Sequence, residues 1–243
     1  MRVLSFSLAG LFLAASVSAA PLTLSNIAGS WQNPVLDGPT AATYVENNQA
    51  GSAADEINWG IASPPELLNI SGYILDPVDG SIVDVPLNSV FALANFTHNN
   101  FPINPSGFTG VEYSLTFDTN GIPTSLNNVF VFSHNETPNA GPCTVGVEPC
   151  ADIVTISQTT LNQVITVGTD NFFFNLLGFS TDGGNTFSNV FISEEDGQRQ
   201  AVLYAQVTAT RIPEVPEPAS LGLIGAGLAL VAHQIRRRRN SGK

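Results

Sequence analysis

Val111-Glu112-Tyr113-Ser114-Leu115-Thr116-Phe117 alternates apolar and polar residues without a break, and Asp118-Thr119-Asn120-Gly121 follows it. A period of two puts Val111, Tyr113, Leu115 and Phe117 on one face of a strand and Glu112, Ser114 and Thr116 on the other, and the Asn-Gly pair signals a turn. A second long segment repeats the pattern, with Ala201, Leu203, Ala205, Val207 and Ala209 on one face and Tyr204, Gln206 and Thr208 opposite. Shorter runs of the same character occupy Leu67 to Ile74, Val90 to Phe96, Val129 to Phe132, Asp152 to Ile156, Val164 to Val167, Phe172 to Phe179 and Val190 to Ser193. No stretch between residues 20 and 211 has helical apolar spacing, and its abundant Thr, Asn, Ser and Gly suit strands and turns. The expected fold is all-β: an antiparallel β-sandwich of jelly-roll type over residues 20–211, long enough for one sizeable core.

Both ends of the chain read as processing signals. At the N-terminus, Met1-Arg2 is a positive n-region, Leu4 to Val17 an apolar h-region, and small residues follow. This is a secretory signal peptide over residues 1–19, cut after Ala19, which sets Val17 and Ala19 at the small-residue positions. At the C-terminus, Val215-Pro216-Glu217-Pro218 precedes an apolar run from Leu221 to Ala232 and the cluster Arg236, Arg237, Arg238 and Arg239. Each proline fixes its own φ and pushes the preceding residue to extended geometry, so this unit joins neither helix nor ladder and suits a protease cleft. The apolar run predicts a single transmembrane helix, held on its cytoplasmic side by the arginines. From Leu221 to Ala232 it would span about 18 Å against a hydrocarbon core of about 30 Å. So short a span suits a transient sorting stop better than a permanent anchor.

This three-part tail resembles the PEP-CTERM sorting signal of bacterial envelope proteins, within residues 212–243. The resemblance implies an exosortase as partner, cleavage near Glu217, passage through the Sec translocation machinery, and transient residence in the inner membrane before delivery to the outer surface or extracellular matrix. Phe96-Thr97-His98-Asn99-Asn100-Phe101-Pro102-Ile103, with Trp59-Gly60 upstream and Phe132-Ser133-His134-Asn135-Glu136-Thr137 downstream, resembles the THxN family of PEP-CTERM proteins. That family supplies an exosortase substrate and no catalytic residues to transfer.

Removing both ends changes the charge. Arg2, the four tail arginines and Lys243 leave with the processed segments, as does Glu217. Between Ala20 and Val215, Arg199 and Arg211 then face 19 acids, a net charge of −17. Nucleic-acid backbones and anionic membrane surfaces both require basic patches, so no nucleic acid is expected as a partner. Cys143 and Cys150, in Gly141-Pro142-Cys143 to Pro149-Cys150, are expected to form a disulfide in an exported chain. Two thiols with no histidine in their loop fall short of a metal site.

Thr97-His98-Asn99 and Ser133-His134-Asn135 repeat a hydroxyl-His-Asn pattern and hold the two histidines of the mature domain. The first segment is expected to begin a turn after the strand from Val90 to Phe96. Should the two segments converge, His98, His134 and Glu136 offer ligands suited to Zn²⁺; otherwise each imidazole satisfies a turn or a sheet rim. The expectation is no metal. Three oxygen-rich turns, Asp118 to Gly121, Asp182 to Asn185 and Glu194 to Gly197, raise Ca²⁺ as the alternative to no cofactor, although none completes an EF-hand spacing.

Catalysis has no motif behind it: there is no Gly-x-Ser-x-Gly elbow, no His-Glu-x-x-His and no phosphate-binding glycine loop. The expected function is that of a non-enzymatic envelope protein with a structural, adhesive or polysaccharide-associated ectodomain. The alternative is a carbohydrate-active or metal-dependent enzyme using His98 and His134.

Overall fold

A computed structural model describes residues 22–36, 44–47, 54–60, 69–78, 82–85, 88–103, 107–120, 122–123, 128–158, 164–167 and 170–211. Among these residues the secondary structure is entirely β. The strands are β1 (Leu22–Leu36), β2 (Tyr44–Asn47), β3 (Asp55–Trp59), β4 (Ser71–Pro77), β5 (Ile82–Val85), β6 (Val90–Asn100) and β7 (Phe108–Thr119). They continue as β8 (Ile122–Pro123), β9 (Asn128–Asn135), β10 (Asp152–Gln158), β11 (Val164–Val167), β12 (Asp170–Ser180), β13 (Val190–Ser193) and β14 (Gly197–Arg211).

Two antiparallel sheets result. One runs β13-β10-β9-β7-β1-β5, with β8 paired to β7, and the other runs β11-β12-β14-β6-β4-β3-β2. The chain divides between Thr210 and Arg211, and the core lies wholly in the first unit. The alternation of β7 does what its sequence requires: Val111, Tyr113, Leu115 and Phe117 are all buried. In β14 the same holds for Ala201, Leu203, Ala205 and Val207. The buried faces of the two sheets meet. Trp31 of β1 lies 5.9 Å from Tyr73 of β4, and Phe96 of β6 stacks 5.6 Å from Phe132 of β9. Offset and edge-on ring contacts of this kind add to the area they bury.

Strand β1 shows why alternation alone is an incomplete guide. Its buried residues are Leu22, Leu24, Ile27 and Trp31, so the phase slips between Leu24 and Ile27. The register against β7 shifts between Ser25 and Ala28, where Asn26 has φ 50°, and again between Gln32 and Val35, where Asn33 has φ 50°. At Asn26 an extra residue in left-handed geometry, which asparagine tolerates, returns Ile27 to the core, whereas after Asn33 the next apolar residue, Val35, is exposed. Each asparagine is tied to β7: Asn26 Nδ2 donates to Asp118 Oδ2 at 2.6 Å, and Asn33 Nδ2 to Glu112 Oε2 at 2.7 Å.

Several elements differ from the sequence reading. Within the run from Leu67 to Ile74, residues 67 and 68 lie outside the described residues, and after Asn69 and Ile70 the strand begins at Ser71 and continues to Pro77. Thr97 to Asn100 does not begin a turn. It completes β6, because β4 and β14 pair with it on either side, His98 lying opposite Tyr73 on one and Arg199 on the other. A strand flanked on both edges satisfies its backbone in the ladder, so the asparagines have no need to close a local turn. Phe132 to Asn135 likewise lies within β9. The signal peptide and the predicted transmembrane helix fall outside the described residues, among which no helix is long and apolar enough to cross a membrane.

Candidate functional site

The two hydroxyl-His-Asn segments lie on strands of different sheets, and their histidines point into the same core. On β6, His98 follows Phe96 in phase and is fully buried; on β9, His134 follows Phe130 and Phe132 in phase. Their rings stand perpendicular with centroids 5.4 Å apart. Trp59 forms a wall of this pocket, stacking on Phe108 at 4.0 Å and on His98 at 5.9 Å, and meeting His134 edge-on at 5.1 Å.

Acids close in from the first sheet. Asp152, fully buried at the start of β10, is in phase with Val154 and Ile156, and its Oδ2 lies 3.6 Å from His134 Nε2. Its Oδ1 accepts the Thr137 backbone N–H at 2.8 Å. Glu136 Oε2 lies 3.0 Å from His134 Nε2. Glu195, in the turn between β13 and β14, is buried as well. Cys143 and Cys150 are bridged, and Thr137 Oγ1 donates to the Cys150 carbonyl at 2.9 Å, so the loop before Asp152 is clipped beside the cluster.

The protonation states follow from burial and mutual repulsion. Burial, and then Asp152 and Glu136, hold the Tyr73 phenol well above its ordinary range. Tyr73 therefore keeps its proton, and its oxygen lies 2.6 Å from His134 Nδ1 while Glu136 faces the other ring nitrogen. Burial, reinforced by His134, pushes His98 down, so that imidazole is neutral. Burial and the nearby carboxylates raise Asp152 to about 6 and Glu195 to about 8. At neutral pH Glu195 holds its proton.

Satisfaction of these groups is incomplete. Among the described residues, His98 Nδ1 and Nε2, Asp152 Oδ2, both Glu195 oxygens, Asn100 Oδ1, Ser193 Oγ and Trp59 Nε1 are buried with no hydrogen-bond partner. A buried unsatisfied polar group costs about 1–3 kcal/mol. One ligand atom each from His98, His134 and Asp152 lie within 4.8 Å of one another, and so do those from Glu136, Asp152 and Glu195. Each triad is a donor set for a divalent metal, and the two share Asp152.

Thr97, His98, Asn99 and Asn100 divide between the faces of β6. His98 and Asn100 turn inward, where Asn100 Nδ2 donates to the Ser193 carbonyl at 2.9 Å. Thr97 lies on the opposite face, in a groove of about 480 Å³ lined also by Asp76, Asn95, Ser180 and Gln200. The three oxygen-rich turns have separate fates. Asp182 is engaged by its own loop, accepting from Ser180 Oγ, the Asn185 and Thr186 N–H groups and Thr186 Oγ1. Asp118 accepts from Asn26, as above. Of the third turn, Glu194 pairs with Arg199 while Glu195 enters the buried cluster.

Asp152, Glu195 and Tyr73 escape a motif search. For Asp152 a signal exists: an acid in phase with Val154 and Ile156 marks a polar group on a core face. Glu195, inside an acidic run, carries no such mark.

Residues 214–239 match the PEP-CTERM protein-sorting motif. The motif marks an exported protein that transits the membrane and is targeted to an exosortase for sorting to the cell surface. Val215, Pro216, Glu217, Pro218 and Arg236 to Arg239 all fall within the PEP-CTERM match, outside the described residues. A comparison with the curated proteins gave no match.

Proposed function

We propose that this chain is a non-enzymatic envelope protein whose residues 20–211 form a β-sandwich module of the THxN group. Its signal peptide directs it through the Sec machinery, its tail holds it briefly in the inner membrane, and an exosortase cuts near Glu217 and delivers it to the outer surface or the polysaccharide matrix. The observation that carries the reading is the sorting motif at residues 214–239 behind an acidic, all-β body. An adhesive role draws support from the outer face of the second sheet. The groove around Thr97 offers carboxylate, amide and hydroxyl groups of the kind that bond sugar hydroxyls. Gly183 lines that groove, Gly184 abuts Tyr204, and Tyr204 packs 5.6 Å from the half-exposed Phe187, an aromatic pair for sugar faces.

The second reading is a metal-dependent or carbohydrate-active enzyme, favoured by the approach of His98 to His134. Against it, His98 is fully buried, and the groove around Thr97 does not reach it. Mass spectrometry of the mature C-terminus, in native cells with and without the exosortase, tests the sorting reading: loss of the arginine cluster only when the enzyme is present supports it. Binding of extracellular polysaccharide without product formation supports the module; turnover abolished by His98→Ala supports the enzyme.

A further inference from the structure

Three carboxylates and two imidazoles converge between the sheets, and among the described residues no arginine or lysine pairs with them: Arg199 pairs with Glu194 on the surface. His98 is decisive, since it is fully buried, aimed at His134 and Asp152, and without a partner at either ring nitrogen among the described residues. We propose that His98, His134 and Asp152, completed by Glu136 and Glu195, bind a divalent transition-metal ion that ties the two sheets together.

The geometry accommodates it. In a tetrahedral shell an ion about 2.1 Å from each donor sets neighbouring ligands about 3.4 Å apart, so donor atoms now within 4.8 Å need to close by up to about 1.4 Å. Imidazole nitrogen selects Zn²⁺, or a neighbouring first-row ion, over Ca²⁺ and Mg²⁺. The outer contacts are already built. With His134 Nε2 on the metal, Tyr73 at 2.6 Å from Nδ1 would hold the ring by its other nitrogen. Thr137 N–H fixes Asp152 by its other oxygen, and the Glu136 side chain keeps a slight exposure to solvent. The ligands come from β6 on one sheet and from β9, β10 and their connection on the other, so binding favours the joined state of the sheets over any separated one.

The test uses the full-length chain in detergent, stripped with a chelator and titrated with Zn²⁺, with Ca²⁺ and Mg²⁺ in parallel. The expected result is one Zn²⁺ per chain by elemental analysis and a Tm rise of about 10 °C at a free Zn²⁺ concentration about a thousandfold above Kd, with no rise for Ca²⁺ or Mg²⁺. His98→Gln and Asp152→Asn should each abolish the stoichiometric ion and the rise. Should either variant fail to fold, X-ray absorption of the loaded wild-type chain decides, since two imidazoles must appear in the metal's coordination shell. No stoichiometric Zn²⁺, an unchanged Tm rise in His98→Gln, or a metal shell without imidazole would each overturn the site. None of these results touches C-terminal processing, so the sorting reading stands or falls separately.

Discussion

The Tyr113 hydroxyl of β7 donates to Asp55 Oδ2 of β3 at 2.7 Å, a buried bond from one sheet to the other. Burial and Asp55 itself push the phenol far above its ordinary range, so it remains a donor throughout the accessible pH scale. Tyr113→Phe keeps the ring against Trp31 and deletes only the donor. Urea unfolding should show a loss of about 1–3 kcal/mol, the penalty for removing a donor from a buried carboxylate. An unchanged midpoint would mean that this bond does not couple the sheets.

Gly29 sits against the same phenol. A Cβ there would overlap the Tyr113 Oη and ring, and Tyr113 is fully buried with no room to swing away. Gly29→Ala should therefore destabilise by about 1–3 kcal/mol, the usual range for overpacking. Combined with Tyr113→Phe, which removes the most crowded atom, the loss should fall short of the sum of the two single changes. Simple additivity in the double-mutant cycle would refute the contact.

The Cys143–Cys150 bridge closes a loop of seven-residue separation beside the buried cluster. Loop-closure entropy gives such a bridge about 2.5 kcal/mol. Replacing both cysteines by serine should lower stability by about that amount. Because Thr137 bonds both the Cys150 carbonyl and Asp152, the same variant should loosen Asp152, detectable as faster exchange of the Thr137 amide proton.

Asp182 gives a pH dependence of defined sign. Hydrogen bonds from Thr186 and Ser180 hold its carboxyl well below the ordinary range. A depressed folded-state pKa contributes stability above the unfolded value, about 3.9, and that contribution is lost as pH falls toward the folded value. NMR titration should show the Asp182 carboxyl still ionised at pH 3, with the loop from Asp182 to Thr186 loosening only at lower pH. In Asp182→Asn the loop should lose this acid transition; its persistence would assign the transition to another group.

Glu217→Ala bears on sorting. Native cells carrying this variant should accumulate chain that retains Arg236 to Arg239, measured by C-terminal peptide mass spectrometry. Normal removal of the arginines would show that recognition does not depend on the acid between the two prolines.

Some of this was legible in residue order because the information is local. The phase of Val111 to Phe117 and of Ala201 to Ala209 places side chains on faces whatever their neighbours do. The sorting motif is read as a linear tail. Strand β1 was illegible for the opposite reason: the bulges at Asn26 and Asn33 break its phase, and only the partner strand β7 shows where it resumes. The segment from Thr97 to Asn100 carries asparagines that suit a turn in isolation, yet two flanking strands extend it.

By itself the sequence determined an exported, acidic, strand-forming chain with a sorting signal, since charge, periodicity and linear motifs survive without a fold. Only the tertiary structure decided that His98 and His134 face each other and that Asp152 and Glu195 join them. Those residues stand 36, 54 and 97 positions from His98 along the chain. Strand pairing and the packing of two sheets close that distance, and burial then raises the Asp152 and Glu195 carboxyls and lowers the His98 imidazole.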